Sequence, residues 1–176
     1  MTATSPGAVL VLGGARSGKS AFAERLVVET GFSRHYIATG RAFDDEMRDR
    51  IARHRDDRGD GWETHEEPLA LAETILAIAR PDRAVLVDCL TLWVSNLLLA
   101  DADIARAGGQ LCDAIARFDG TLILVANEVG LGIVPDNALA RRFRDAAGLL
   151  NQSVAAAAAE VVLLTAALPL TLKSAG

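Results

Sequence analysis

The stretch that decides the fold is Gly13-Gly14-Ala15-Arg16-Ser17-Gly18-Lys19-Ser20. It matches the pattern G-x-x-x-x-G-K-[ST] at every fixed position. The apolar run at residues 8–12 predicts a buried strand before it, and residues 20–30 predict a helix after it. A glycine-rich turn between a strand and a helix points backbone N–H groups at phosphate oxygens. In such a loop Lys19 is expected to reach the β- and γ-phosphates, and the Ser20 hydroxyl is expected to ligate Mg²⁺.

Strand and helix patterns alternate along the rest of the chain. Further strands are predicted at residues 35–39, 62–66, 84–88, 121–126, 161–165 and 168–172, and further helices at 44–55, 69–79, 91–100, 104–118 and 137–158. Because the strands are continuously apolar, we expect an α/β P-loop NTPase with a mostly parallel sheet and helices on both faces. The 176 residues contain no repeat or linker, so residues 1–176 are interpreted as a single P-loop nucleotide-binding catalytic domain.

Composition narrows the classes of protein to which the chain can belong. With 51% hydrophobic residues it is expected to fold, and 18 basic against 23 acidic side chains argue against non-specific nucleic-acid binding. Cys89 and Cys112 have neither metal nor redox spacing, and we interpret them as buried thiols in a reducing, cytoplasmic setting. Residues 154–172 are long enough for a membrane span, but Glu160 and Pro169 favour a helix that leads into a buried strand.

Two acidic residues follow predicted strands and are candidates for a second part of the nucleotide site. Asp88 ends the strand at 84–88, and Glu128 follows the strand at 121–126. Ligands of parallel sheets bind beyond the carboxyl ends of the strands, where both residues are expected to lie. Asp88 is the candidate for holding Mg²⁺ through water. Glu128 is a second candidate for this role, either in place of Asp88 or beside it. The alternative for Glu128 is a carboxylate that lies in a loop or caps a turn.

The most charged stretch, residues 44–58, contains a histidine between arginines. Arg50, His54 and Arg58 stand four residues apart, so a helix would place all three on one side. Neighbouring cations favour the neutral, nucleophilic imidazole, and arginines bind phosphate oxygens. This setting suits a histidine that forms a phosphoramidate. The alternative is a solvated helix face with i,i+4 ion pairs. His35 and His65 are interpreted as structural or surface residues.

Several short segments together resemble a known family. In chain order they are GGARSGKS at 13–20, YIAT at 36–39, DDEM at 44–47, RI at 50–51 with His54, WET at 62–64 with Glu66, DCLT at 88–91, NLL at 96–98, NEVG at 127–130, GIVP at 132–135, RDAAG at 144–148 and NQ at 151–152. They resemble the bifunctional adenosylcobinamide kinase / adenosylcobinamide-phosphate guanylyltransferase family of cobalamin assembly. The histidine segment, NEVG and GIVP are its most specific parts, because many enzymes share the phosphate loop.

The resemblance implies two reactions. The first uses ATP or GTP to phosphorylate the terminal hydroxyl of the aminopropanol arm of adenosylcobinamide. The second transfers GMP from GTP to adenosylcobinamide phosphate through a guanylylated histidine, which gives adenosylcobinamide-GDP and pyrophosphate. The position that matches this histidine is His54, which follows Arg53, and Lys19 is the other implied catalytic residue. A RecA-like fold and a homotrimer are also implied.

The family's nucleotide contacts transfer to five parts of the chain. They fall on Gly13, Gly14, Ala15, Arg16, Ser17, Gly18, Lys19 and Ser20, on Ala38, Thr39 and Gly40, on Arg55, Asp56, Asp57 and Arg58, and on the acidic residues Glu66 and Asp88. Ser20 and Asp88 are the implied Mg²⁺ ligands. The acid at position 88 is often glutamate in the family, so Asp88 is one methylene shorter.

Other interpretations stay open at this point. A monofunctional P-loop small-molecule kinase would form no covalent nucleotide. A nucleotide-dependent switch or assembly ATPase would hydrolyse slowly and ignore corrinoids. A non-catalytic domain would keep the loop only as structure, but the complete Gly-Lys-Ser and the arginine-flanked histidine argue against it. Residues 131–137 and 91–96 are candidates for corrinoid contact.

Overall fold

A computed structural model describes residues 7–41 and 59–174, which form seven strands and five helices. The strands are β1 (Gly7–Gly13), β2 (Ser33–Ala38), β3 (Trp62–Glu66), β4 (Arg83–Asp88), β5 (Thr121–Asn127), β6 (Glu160–Thr165) and β7 (Leu168–Lys173). The helices are α1 (Lys19–Glu29), α2 (Leu71–Ile78), α3 (Leu90–Leu99), α4 (Ile104–Arg117) and α5 (Ala138–Ala157). The helix predicted at 44–55 lies outside the described residues.

The seven strands form one sheet in the order β3-β2-β4-β5-β1-β6-β7. All neighbouring pairs are parallel except β6 and β7, which form an antiparallel hairpin. The register pairs Gly13 with Asn127, and it pairs Ala38 with both Asp88 and Glu66. The carboxyl ends of β1 to β5 therefore lie along one edge of the sheet, where the phosphate loop leaves β1.

Both faces of the sheet are covered, because alternate side chains of a strand project to opposite faces. On one face, Val9 and Val11 of β1 pack with Ala23 and Val27 of α1. On the other face, Leu10 belongs to a larger core that is built with α2, α3, α4 and α5. The predicted mostly parallel sheet with helices on both faces is confirmed.

The starts of the helices follow local hydrogen-bond chemistry. Asp103 and Asn137 each accept the backbone N–H three residues ahead, at 3.0 and 2.7 Å, and so cap α4 and α5. The helix predicted at 69–79 begins later, at Leu71. Glu67 Oε1 accepts the N–H groups of Leu69 and of the following residue at 2.8 and 2.7 Å, which holds this segment in a turn.

One of the two predictions for the cysteines is wrong. Cys89 is buried, with 4% exposure, but Cys112 is only partly buried. Leu111, Ala114 and Ile115 form the core-facing stripe of α4, and Cys112 lies about 100° around the helix from Leu111. Residues 154–172 form the end of α5 and then two strands, as expected; β6 is largely buried, whereas β7 is exposed along its whole length. Within the described ranges, no helix is both long and apolar enough to cross a membrane.

Candidate active site

The loop between β1 and α1 has the backbone that its glycines allow. Gly18, directly before α1, has φ 92°, a left-handed conformation that glycine adopts without the strain of a Cβ. Lys19 Nζ donates a hydrogen bond of 3.3 Å to the carbonyl oxygen of Gly14. The ammonium group therefore folds back over the loop, in the position from which it can meet bound phosphate.

The loop is also tightly packed from behind by the β6–β7 hairpin. The backbone N–H of Ala167 donates to the carbonyl oxygen of Ser17 at 2.8 Å. A Cβ added to Gly18 would lie 3.1 Å from the Cα of Ala167, and one added to Gly13 would lie 2.9 Å from the carbonyl oxygen of Leu164. Close approach thus requires both glycines, and the left-handed backbone also requires Gly18.

One buried polar atom of the loop has no protein partner in the described part of the chain. Ser17 is 6% exposed, and its Oγ makes no hydrogen bond there. A buried hydroxyl without a partner costs free energy unless a ligand or a water molecule satisfies it. The orphaned hydroxyl, the left-handed Gly18 and the folded Lys19 together fit a loop built to hold phosphate.

Asp88 lies at the carboxyl end of β4, on the same face of the sheet as α1. Leu86, two residues earlier, belongs to the core under α1. The Tyr36 hydroxyl donates to Asp88 Oδ2 at 3.0 Å and orients the carboxylate. Burial, reinforced by the charge of Asp88, raises the pKa of the Cys89 thiol to about 11, and the charge of Lys19 opposes this shift. The charges of Lys19 and Asp88 thus act on the same thiol, at one edge of the sheet.

The oxygen donors at this edge fit a magnesium ion. Ser20 lies in the first turn of α1, directly after Lys19, and Asp88 lies on the same face of the sheet. Mg²⁺ prefers carboxylate, hydroxyl and water oxygens, and it commonly uses only one or two protein ligands beside nucleotide phosphates. Ser20 offers a hydroxyl oxygen and Asp88 offers a carboxylate oxygen, so this pair has the ligand types that Mg²⁺ prefers.

Thr39 is fully buried in a clamp between β2 and β4. Its Oγ1 donates to the carbonyl oxygen of Cys89 at 2.7 Å and accepts the Cys89 N–H at 2.9 Å. Asn96 Nδ2 donates to the carbonyl oxygens of Thr39 at 2.6 Å and Pro68 at 3.1 Å. The structure therefore gives Thr39 a positioning role, and Asn96 ties the ends of two strands to α3.

Asn96 is a positioning residue, a role that the sequence did not predict; residues 91–96 were predicted only as candidates for corrinoid contact. It is 2% exposed and lies in the otherwise apolar helix α3. Thr91 of the same helix is also buried, and its Oγ1 accepts the N–H of Asn127 at 2.7 Å. Both residues carry an amide or hydroxyl group within an otherwise apolar helical pattern. That pattern is the sequence signal that could have identified them, because buried polar groups need hydrogen-bond partners.

The segment after β5 combines a capped turn with exposed apolar side chains. Glu128 Oε1 accepts a hydrogen bond of 2.6 Å from the N–H of Gly130. The alternative interpretation of Glu128, a capping carboxylate, predicts this contact. Leu131, Ile133 and Val134 follow and are 88%, 97% and 59% exposed. This apolar surface begins at the same sheet edge as the phosphate loop.

The remaining predicted residues divide into two groups. Ala38 and Gly40 are partly buried at the end of β2, and Glu66 is exposed at the end of β3. The structure brings these residues to the edge that carries the loop and Asp88. His54 and residues 55–58 lie outside the described residues.

Fold and site together define the protein as a P-loop NTPase of the α/β class. The flagellar accessory protein FlaH of Methanocaldococcus jannaschii is similar in fold: its solved structure matches with a TM-score of 0.53 at 12% identity, over 96% of this chain and 78% of that chain. The protein belongs to the cobinamide kinase / cobinamide phosphate guanyltransferase family, whose model matches residues 9–172.

Two curated relatives agree with this assignment. The bifunctional adenosylcobalamin biosynthesis protein CobP of Pseudomonas aeruginosa is 51% identical over 167 residues, which cover 93% of this chain and 96% of the relative. The bifunctional adenosylcobalamin biosynthesis protein CobU of Salmonella typhimurium is 43% identical over 180 residues, covering 94% and 99%. The chain is accordingly a bifunctional cobinamide kinase and guanylyltransferase of cobalamin biosynthesis.

Proposed function

We propose that the protein phosphorylates adenosylcobinamide and then guanylylates the product. In the first step the terminal hydroxyl of the aminopropanol arm attacks the γ-phosphorus of ATP or GTP, the bond between that phosphorus and the β-phosphate oxygen breaks, and the hydroxyl proton is released to solvent. In the second step GMP passes from GTP to adenosylcobinamide phosphate, which yields adenosylcobinamide-GDP and pyrophosphate. The observation that carries the proposal is the phosphate loop with Lys19 folded over it, at the edge that also presents Asp88.

In both steps the chain has to neutralise phosphate charge and position the phosphorus. The loop N–H groups of residues 13–20 and the ammonium of Lys19 are the donors for this role. Bound Mg²⁺, held by Ser20 and Asp88, would supply further neutralisation of the phosphate oxygens. The Tyr36 hydroxyl keeps the Asp88 carboxylate oriented. Further nucleotide contacts are assigned to Ala38, Gly40, residues 55–58 and Glu66. Thr39 acts indirectly, because its hydrogen bonds to the backbone of Cys89 hold the ends of β2 and β4 together.

Guanylyl transfer is the step that uses a nucleophile on the protein, and we assign that role to His54. An imidazole nitrogen attacks the α-phosphorus of GTP, and the bond to the pyrophosphate leaving group breaks. A phosphate oxygen of the corrinoid then attacks the same phosphorus, and the P–N bond breaks. The support is the four-residue spacing of Arg50, His54 and Arg58 in the sequence, because a helix would set phosphate-binding arginines on the same side as the only histidine of that segment.

The corrinoid needs a surface outside the phosphate loop. The exposed apolar side chains of Leu131, Ile133 and Val134 follow the capped turn at Glu128 and offer such a surface. Contiguous exposed apolar groups are typical of binding sites. On the strength of the family resemblance, we also propose that the single-domain chains form a cytoplasmic homotrimer. Neighbouring subunits line the sites of this trimer.

The test is the intact mass of the purified protein after incubation with GTP and Mg²⁺. The wild type is expected to gain the mass of one GMP in an acid-labile bond, and His54→Asn is expected to gain none while it keeps kinase activity. His65→Asn is the matched control, because it removes a histidine of β3 and is expected to retain the adduct. If the wild type forms no adduct although it binds GTP, the assignment of a guanylyl-histidine intermediate at His54 is wrong.

A further inference from the structure

Away from the phosphate loop, two of the three histidines in the chain meet on the strands β2 and β3. His35 Nδ1 lies 3.1 Å from His65 Nε2. Glu63 places one carboxylate oxygen 3.7 Å from His35 Nδ1 and the other 3.6 Å from His65 Nε2. His35 is 1% exposed, His65 is partly buried, and Glu63 is exposed. The cluster is therefore rooted in the sheet and open to solvent on one side.

The register of the two strands explains why the three side chains meet. His35 pairs with Glu63, and Ile37 pairs with His65, so the three side chains project from one face of the sheet. Ile37 belongs to the core on the α2–α5 side, whereas Asp88 lies on the α1 side. The cluster is thus on the opposite face of the sheet from Asp88 and is separate from the nucleotide site.

The spacing of the donor atoms on these three side chains suits a metal site. In a tetrahedral zinc site, with ligand bonds of about 2.0–2.2 Å, the ligand atoms lie about 3.3–3.6 Å apart. The two nitrogens lie 3.1 Å apart, and each lies 3.6 or 3.7 Å from a different oxygen of the Glu63 carboxylate, so the separations fall close to that range. The other nitrogen of His35, Nε2, lies 3.3 Å from Ser33 Oγ. A hydrogen bond from Nε2–H to this hydroxyl leaves the Nδ1 lone pair for a metal, as is usual for metal-ligating histidines.

We propose that His35, His65 and Glu63 form a binding site for a divalent transition-metal ion, with zinc as the occupant and water in the remaining position. Two imidazole nitrogens and one carboxylate favour zinc over magnesium, which prefers oxygen ligands alone. The ion joins the edge strand β3 to β2 through side chains. Zinc binding therefore stabilises the edge of the sheet and raises the temperature of unfolding.

The test uses the full chain, stripped with a chelator and then titrated with zinc in the presence of excess Mg²⁺. Excess Mg²⁺ occupies the oxygen donors of the nucleotide site during the titration. One zinc ion per chain is expected for the wild type. Glu63→Gln and His65→Gln are each expected to weaken zinc binding by at least about 10–100-fold, the range for losing even an outer partner of a metal site. Because Glu63 is exposed, its substitution spares the core.

Two control variants show which histidines and acids are involved. His54→Asn removes the third histidine of the chain, and Glu73→Gln removes an exposed glutamate of α2. Both are expected to bind zinc like the wild type. Unfolding temperatures measured with chelator present are expected to be similar for Glu63→Gln and the wild type, and added zinc is expected to raise the unfolding temperature of the wild type more than that of Glu63→Gln.

Cobalt(II) supplies an independent readout of the ligand types. A site of two histidines and one carboxylate is expected to give the visible absorption of four-coordinate cobalt without thiolate charge transfer. Three results would overturn the proposal: no zinc bound by the wild type, unchanged binding in Glu63→Gln and His65→Gln, or a thiolate band that assigns the metal to Cys89 or Cys112. None of these results bears on guanylyl transfer at His54, so the two proposals can fail separately.

Discussion

The backbone N–H of Ala167 donates a hydrogen bond of 2.8 Å to the carbonyl oxygen of Ser17, so the β6–β7 turn is joined directly to the phosphate loop. Ala166 and Ala167 both have positive φ, at 51° and 61°, which is uncommon for residues with a side chain. The turn therefore places an N–H donor behind the loop, against Gly18. A segment near the end of the chain thus supports a motif near its beginning.

Ala167→Pro is expected to damage the phosphate loop from outside it. Proline has no N–H to donate to Ser17, and its φ near −65° is incompatible with the turn. We expect the free energy of unfolding to fall by about 3 kcal/mol and the affinity for a fluorescent GTP analogue to fall with it. Ala167→Gly keeps the N–H and tolerates positive φ, so it is expected to bind the analogue like the wild type. Equal binding by both variants would show that this hydrogen bond is unimportant.

The two lysines of the chain allow a matched test of the loop. Lys19→Ala is expected to slow both the kinase reaction and the guanylyl transfer by about 10²–10³-fold. The change removes the ammonium group that stabilises the negative charge developing on the phosphate oxygens in the transition state. Lys173→Ala is the control: its Nζ donates to the carbonyl oxygens of Ala155 and Ala156 near the end of α5, at 3.1 and 3.0 Å. That variant is expected to lose about 1 kcal/mol of stability and to keep both activities. Release of ADP and pyrophosphate measures the two reactions.

Asn96→Ala is expected to destabilise the protein strongly. The change leaves the buried carbonyl oxygen of Thr39 and the partly buried carbonyl oxygen of Pro68 without their donor, which costs about 2–4 kcal/mol for the pair. Asn151→Ala is the matched comparison, since Asn151 makes one longer bond of 3.3 Å to Asn127. Its cost is expected to be about 1 kcal/mol. Urea denaturation of the two variants measures the difference, and equal losses would contradict the clamp.

The two thiols are expected to differ in reactivity. Burial raises the pKa of Cys89 to about 11, so this thiol stays protonated at pH 8 and acquires its reactive thiolate form only as the pH approaches that value. Burial also raises the pKa of Cys112, but that side chain is partly accessible. Alkylation at pH 8 followed by peptide mass analysis is expected to label Cys112 first. Faster labelling of Cys89 would mean that the end of β4 opens readily.

Much of the fold could be predicted because its signals are local. The Gly-Lys-Ser sequence after an apolar run predicts the strand, loop and helix that are found at β1 and α1. The interiors of β4 and β5, at residues 84–87 and 122–126, are continuously apolar, and the structure buries them between two layers of helices. The prediction for Cys112 failed because a helical pattern does not say how wide the buried stripe is. The start of α2 was misplaced because the turn at Glu67 depends on side-chain hydrogen bonds.

The amino-acid sequence by itself determined the phosphate loop, the alternation of strands and helices, and the identity of Lys19 and Asp88 as candidate residues, because each depends on residues that are close together along the chain. Only the tertiary structure decided the strand order, the support of Ser17 by Ala167, the clamp of Thr39 by Asn96, and the meeting of His35 with His65. Each of these pairs is far apart in sequence. Their contacts depend on strand register and on which faces of the elements pack together, and no short stretch of sequence contains that information.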